Sequence, residues 1–355
     1  MNFKYNIMKN HFLSVLALLS LILFTVSSCD TNDNNDPNVP CRAMFYQLVG
    51  ESDGLPNAEF NIFSYQKFTS FNFNDTIQEL PSNAVYAQQL VGQRHVRSSI
   101  DDYNARIVYK MADMLISYQN GAVTQTVFPN GDTRNQPEFL AGNLYFLKPN
   151  SVLVNSPPVV SNFEITDESG STISSTFPVN LSNAGVFNTF EISSTSDKTD
   201  NIFYLANTYL YKYNLSSDTL TTMQIDTFNS NNVFYSGIEY VDANTLYAFK
   251  GETANQSVKL VKIDISNTSN PVVSTLMDLT NSSALSFNPY SMVNFDYAYT
   301  QTDYDKCDNS FYFSFTDAGS IDSYLVEIKL NSNTITEYYD PNLTDQFFFG
   351  LDHLR

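Results

Sequence analysis

Few residues in this chain can do chemistry. Among 355 residues there are three histidines, His11, His95 and His353, and three cysteines, Cys29, Cys41 and Cys307. Two histidines beyond the first segment are too few for a His-rich metal site, and neither His-Glu-x-x-His nor Cys-x-x-Cys occurs. A Ser-His-Asp triad would need His95 or His353 as its base. Gly-x-Ser-x-Gly is absent, His353 stands near the C-terminus, and His95 reads as a strand-end imidazole. The phosphate-cradling patterns Gly-x-x-x-x-Gly-Lys and Gly-x-Gly-x-x-Gly are also missing. Carboxylate is abundant: 37 Asp+Glu face 18 Lys+Arg, a formal net charge of -19. Paired carboxylates are therefore what an enzyme here would use, as in glycoside hydrolysis. No pair stands out by spacing. The same imbalance excludes a nucleic-acid partner, which needs a basic face against phosphate.

Three local features rise above this background. Arg94, Arg97 and Arg106 fall within 13 residues, three of the six arginines in the chain, with Lys110 close by. Arg forks oxyanions bidentately, so the run is a candidate anion site; the plainer reading is solvated pairing with Asp101 and Asp102. Asp303, Asp305 and Asp308 cluster in Thr300–Asn309, which reads as an insertion loop and as a candidate calcium site, since calcium prefers oxygen. Calcium is the one cofactor these residues suggest. Finally, Tyr209, Tyr211, Tyr213 and Leu215 alternate on one strand face, which reads as core rather than a ligand platform.

The elements that must hold these residues are strands. Aromatics make up 14% and charged residues only 15%, and Asn, Ser, Thr, Tyr and Phe abound, a mix that suits pleated sheets and turns. A strand–turn–strand unit recurs, anchored at Phe71, Leu115, Phe163, Leu210, Leu260 and Leu325, at intervals of 44, 48, 47, 50 and 65 residues. Asn-Gly and Ser-Gly between alternating runs are hairpin chemistry. Spacing of about 45–50 residues is that of four-stranded propeller blades. The pattern predicts an all-β, six-bladed β-propeller over residues 41–355; seven blades, or tandem β-sandwiches, are the alternatives. A closed ring would bring Ala43–Val49 beside Phe347-Phe348-Phe349 in one seam blade.

The first segment is an address. Lys4 and Lys9 precede an apolar run from Phe12 to Phe24, and small residues lead to Cys29, which predicts a signal peptide over residues 1–28. Val26-Ser27-Ser28-Cys29 resembles the lipobox of bacterial lipoproteins, which implies lipidation at Cys29. Residues 29–40, with Asp30, Asp33 and Asp36 among asparagines and ending in Pro37 and Pro40, read as an acidic flexible tether. An acidic stretch after the lipidated Cys resembles the surface-export signals of Bacteroidota lipoproteins. Together with the repeated units, the chain resembles the exported propeller-type lipoproteins of that group. The resemblance implies an outer-membrane lipoprotein, at the cell surface or facing the periplasm, joined to the membrane through its N-terminal lipid. With Cys29 lipidated, Cys41 and Cys307 remain as one possible disulfide in an oxidising compartment.

The leading expectation is a lipid-anchored binding module that presents propeller loops to a glycan, peptide or envelope protein, without catalysis. A carboxylate-dependent polysaccharide hydrolase or lyase and a structural accessory subunit of an outer-membrane complex are the alternatives. Convergent acids with displaced pKa values would favour chemistry at the ring axis. An apolar patch on one rim would favour a binder that works through its loops.

Overall fold

The computed structural model describes residues 43–50, 58–67, 77–79, 85–87, 96–111, 114–129, 132–152, 159–178, 192–206, 208–227, 233–292, 298–317, 322–339 and 347–354. They lie within one compact unit, Cys41–Arg355. Cys29, Cys41, Arg94 and His95 fall outside the described residues.

Among the described residues the chain forms six antiparallel sheets. Sheet 1 contains β1 (Ala43–Gly50), β2 (Ala58–Lys67), β3 (Ile77–Glu79) and β4 (Val85–Ala87). Sheet 2 is β5 (Val96–Asp101), β6 (Arg106–Met111), β7 (Met114–Gln119) and β8 (Ala122–Val127). Sheet 3 follows as β9 (Asn135–Leu140), β10 (Asn143–Val152), β11 (Val159–Asp167) and β12 (Phe177–Pro178). Sheet 4 is β13 (Ile192–Ser196), β14 (Asn201–Ala206), β15 (Tyr209–Asn214) and β16 (Thr219–Gln224). Sheet 5 is β17 (Val233–Asp242), β18 (Thr245–Glu252), β19 (Ser257–Asp264) and β20 (Val272–Asp278). Sheet 6 is β21 (Ala298–Asp305), β22 (Ser310–Asp317), β23 (Asp322–Lys329) and β24 (Thr334–Tyr339), and β25 (Phe347–Leu354) returns to sheet 1.

The molecule is an all-β propeller. The first strands of the sheets, β25, β5, β9, β13, β17 and β21, contact one another in that order and come back to β25, closing a circle. Two facing layers, the sandwich alternative, do not form. β25 pairs with β1 from Met44↔Leu354 to Gly50↔Phe347, so both chain ends build the seam sheet as expected. Closure leaves no bare apolar end face on the stack.

The core lies between successive sheets. Tyr204, Tyr209, Tyr211 and Tyr213 join Phe163, Ile165 and Ile202 between sheets 3 and 4, so the tyrosine row is packing. Phe249, Phe311 and Phe313 meet edge-to-face between sheets 5 and 6 at 5.2–5.4 Å. Each such ring, fully buried, contributes about 1.5–3 kcal/mol.

Turn chemistry explains the regular hairpins. Asn120-Gly121 joins β7 to β8 with φ of 52° and 80°, the two-residue turn that matches strand twist. At the end of the innermost strand, Asp101, Asp197, Asp242 and Asp305 each accept a backbone N–H two residues on, from Tyr103, Thr199, Asn244 and Cys307. This local bond turns the chain into the second strand.

One expectation needs correction. Thr300–Asn309 is not an insertion loop: residues up to Asp305 belong to β21, and Asp305 caps its turn. Acids read as loop residues here because an innermost strand faces the ring axis rather than a second apolar layer. The long interval is instead filled by the connection from Asp278 to Ala298, which carries a short 3-10 helix, Pro289–Met292. Its Phe287 packs on Phe315 and Tyr324, and Ser286 donates its N–H and hydroxyl to Glu337. The Phe71 anchor lies outside the described residues. The third strand of sheet 1 is β2, which ends at Lys67.

Candidate functional site: carboxylates at the ring axis

The six innermost strands alternate in geometry. In β9, β17 and β25 the pairing with the second strand slips, at Gln136, at Gly237-Ile238 and at Gly350, and β17 slips a second time between Tyr240 and Asp242. In β5, β13 and β21 the register runs unbroken. The first three of these slips are β-bulges with a residue at positive φ: Gln136 (50°), Gly237 (61°) and Gly350 (64°). A bulge bends its strand and re-aims the next side chains. Glycine is required at the last two. A Cβ on Gly237 would stand 2.5 Å from Thr302 Cγ2, and one on Gly350 would stand 2.6 Å from Tyr109 Cδ1.

An acid follows each bulge by two residues or fewer: Glu138, Glu239 and Asp352. Each lies opposite a tyrosine of the second strand, Tyr145, Tyr247 and Tyr46. Each also takes a hydroxyl from the next, unbulged strand. Ser194 Oγ donates to Glu138 Oε1 at 2.7 Å, and Thr302 Oγ1 donates to Glu239 Oε1 at 2.5 Å. The Ser98 hydroxyl bonds Asp352. The sheets thus act as three pairs, each giving the axis one carboxyl and one hydroxyl, an approximate threefold arrangement.

The three acids hold their protons more tightly than free carboxylates. Burial raises Glu138, against Lys198 and the hydroxyls of Ser194, Ser196 and Ser99. Burial and then the charge of Asp303 raise Glu239 well above the usual range, and Asp352 and Glu138 add to this against the Thr302 bond. Burial and Asp303 push Asp352 up to about 8, opposed by Ser98 and Lys198. Like charges that share a confined site cannot all ionise. Glu239 and Asp352 keep partial exposure. Asp352 Oδ2 is buried and has no hydrogen-bond partner.

Asp303 adjoins this trio and binds His353, with Nδ1 2.5 Å from Oδ2. His353 Nε2 lies 3.9 Å from Asp305 Oδ1, and its ring packs on Phe45. Ring closure therefore carries the near-terminal histidine to the centre.

The remaining candidates sit in separate places. Arg106 forks Glu168 of sheet 3 at 3.0 and 2.6 Å and donates Nε–H to Ser117, so its anion is a neighbour's side chain rather than Asp101 or Asp102. Arg97 is enclosed and donates to the Ile192 carbonyl at 3.4 Å; burial lowers it to about 10. Asp303 and Asp305 flank His353, while Asp308 lies in the following turn. Among the described residues no group of three His, Cys, Asp or Glu side chains is arranged to hold a metal ion. Cys307 is disulfide-bonded. The large apolar residues exposed among the described ones, Tyr103, Val127 and Val272, are scattered.

No family model matches the chain, and no curated protein matches it. Solved structures similar to it include apo AztD from Citrobacter koseri, at 11% identity over 88% of this chain and 98% of that one, with a TM-score of 0.43. An oligogalacturonate lyase from Vibrio parahaemolyticus is 9% identical over 82% and 78%, with a TM-score of 0.43. An extracellular domain from B. thetaiotaomicron is 11% identical over 81% of this chain and 33% of that chain, with a TM-score of 0.41. Likeness at this level carries no inference about activity.

Proposed function

We propose that this chain is a lipid-anchored binding module of the bacterial cell envelope, a six-bladed propeller whose axial carboxyl trio holds an ammonium group. The ammonium belongs to a glycan's amino sugar or to a peptide. One observation carries the reading: Glu138, Glu239 and Asp352 reach the axis from alternate innermost strands, each two residues or fewer past a bulge. A primary ammonium has three N–H donors in threefold array, which such a trio complements. Without a ligand, protons balance part of the charge; a bound cation would take their place and release them. The pairing of sheets around one axis supports six blades. Anchoring at Cys29, residues 29–40 as the tether and a Cys41–Cys307 bridge complete the reading.

The test is calorimetry with glucosamine, N-acetylglucosamine, a lysyl peptide and its acetyl-lysyl form. Support is binding of at least one free amine, with proton release. Its acetylated partner and the Glu239→Gln/Asp352→Asn variant should each bind at least tenfold more weakly. Equal binding by the acetylated forms or by the variant overturns the reading, and the two amine series tell glycan from peptide. Loss of labelled fatty acid in Cys29→Ala tests the anchor separately.

A second reading, a carboxylate-dependent polysaccharide hydrolase or lyase, is favoured by the convergence of three acids with raised pKa values, and by Asp352 most of all. A carboxyl titrating at about 8 still carries a proton at neutral pH and can act as a general acid. Polysaccharide cleavage that disappears in Asp352→Asn would support it.

A further inference from the structure

A second site lies away from the axis, between the end of sheet 4 and one face of sheet 5. It is a pocket of about 310 Å³ lined by Ile225, Asp226, Lys250, Glu252, Lys259 and Thr275, with Val261 and Val273 beneath. That is at the small end for ligand sites and suits a molecule the size of one sugar ring.

The charges in this pocket are unevenly matched. Lys250 and Lys259 are direct cross-strand partners on β18 and β19. Like charges placed opposite one another destabilise a sheet. Lys250 is compensated: its Nζ lies 2.8 Å from Asp226 Oδ2 and 3.6 Å from Glu252 Oε1. Asp226 also accepts the Tyr235 hydroxyl at 2.9 Å. Despite burial, the bonds from Lys250 and Tyr235 hold Asp226 below the usual carboxylate range. Lys259 has no ion pair within 4 Å among the described residues. Its other cross-strand partner, Asp278, feels its charge from beyond contact distance and spends its hydrogen bonds on the N–H and hydroxyl of Thr280. One cation without a contact ion pair among the described residues thus faces the pocket, beside two carboxylates and a hydroxyl.

We infer that this pocket binds a small hydroxylated carboxylate, a sugar acid, with its carboxylate on Lys259 and its hydroxyls on Asp226, Glu252 and Thr275. Lys259 supplies the opposite charge, and acidic side chains are good acceptors for vicinal hydroxyls. A simple anion would meet repulsion from Asp226 and Glu252. A neutral sugar would give Lys259 no ion pair at contact distance. The ligand class follows from that combination.

Glucuronate, glucose and acetate are the probes, titrated into the whole protein by calorimetry. Glucuronate should bind at least tenfold more tightly than either glucose or acetate. Lys259→Gln should bring it down to the level of glucose, and Thr275→Val should weaken it about threefold. Lys259 is partly exposed, so its variant should keep the parent melting curve. The Glu239→Gln/Asp352→Asn variant should bind glucuronate as the parent does, which keeps this site's test separate from the axial one. Equal affinity for glucuronate and glucose overturns the proposal, as does undiminished binding by Lys259→Gln. Loss of glucuronate binding in the axial variant also overturns it, by placing the ligand elsewhere.

Discussion

Two glutamates on adjoining sheets of this ring live in opposite circumstances. Glu327 of β23 is 1% exposed and is met by donors: Tyr312 at 2.7 Å, Tyr338 at 3.1 Å and Ser310 at 3.2 Å. Glu239 of β17 receives one hydroxyl and otherwise faces Asp303, Asp352 and Glu138. Glu327 belongs to a satisfied network, the kind that specifies packing. Glu239 belongs to a group whose members repel, a cost the fold tolerates at its axis. The contrast separates structural acids from candidate ligand contacts better than burial does.

Mutations can break this contrast at several points. The largest effect should come from Glu327→Ala, which strips two buried hydroxyls and the half-buried one of Tyr338 of their acceptor and should cost about 3 kcal/mol in urea denaturation. Gly350→Ala should cost about 2 kcal/mol, since it adds a Cβ against Tyr109 to a backbone at φ 64°. Glu239→Gln should have the opposite sign to Glu327→Ala. It should stabilise at pH 8 and have no measurable effect at pH 4, where the acid is protonated in the folded chain. Equal destabilisation by the two glutamate substitutions would erase the distinction.

The pH dependence sharpens the comparison. A carboxyl raised from 3.8 to about 8 on folding makes the native state bind the extra proton between those values. Its contribution is therefore full at low pH and declines as pH rises toward 8. Melting temperature measured from pH 4 to 8 should fall less in Asp352→Asn than in the parent. The smallest effect should be Arg106→Lys. Its Glu168 partner is 43% exposed, and exposed ion pairs contribute under about 1 kcal/mol.

The sequence carried the outer halves of the sheets well. Leu115, Phe163, Leu210, Leu260 and Leu325 all lie on third strands, because those strands alternate cleanly and end in Gly-, Asn- or Asp-rich turns. It carried the innermost strands badly. A bulge breaks the period of two, so Gln136-Pro137-Glu138, Gly237-Ile238-Glu239 and Gly350-Leu351-Asp352 resemble no strand pattern. A usable signal was present: acid and tyrosine recur seven or eight residues apart in Glu138/Tyr145 and Glu239/Tyr247, about two blade intervals on. The third copy is split between the two ends of the chain, as Asp352 and Tyr46, and linear reading cannot join it. His353 was passed over for the same reason. Arg106 misled because its partner, Glu168, is 62 residues away.

The strand Phe347–Leu354 both fastens the circle and delivers the third carboxyl. A chain made from its N-terminus onward reaches Glu138 and Glu239 long before Asp352. An unfinished or unlatched molecule therefore lacks both its closure and a complete trio. Docking of that ribbon brings a third acid to two stranded ones, so the shared titration of all three reports that folding has come full round.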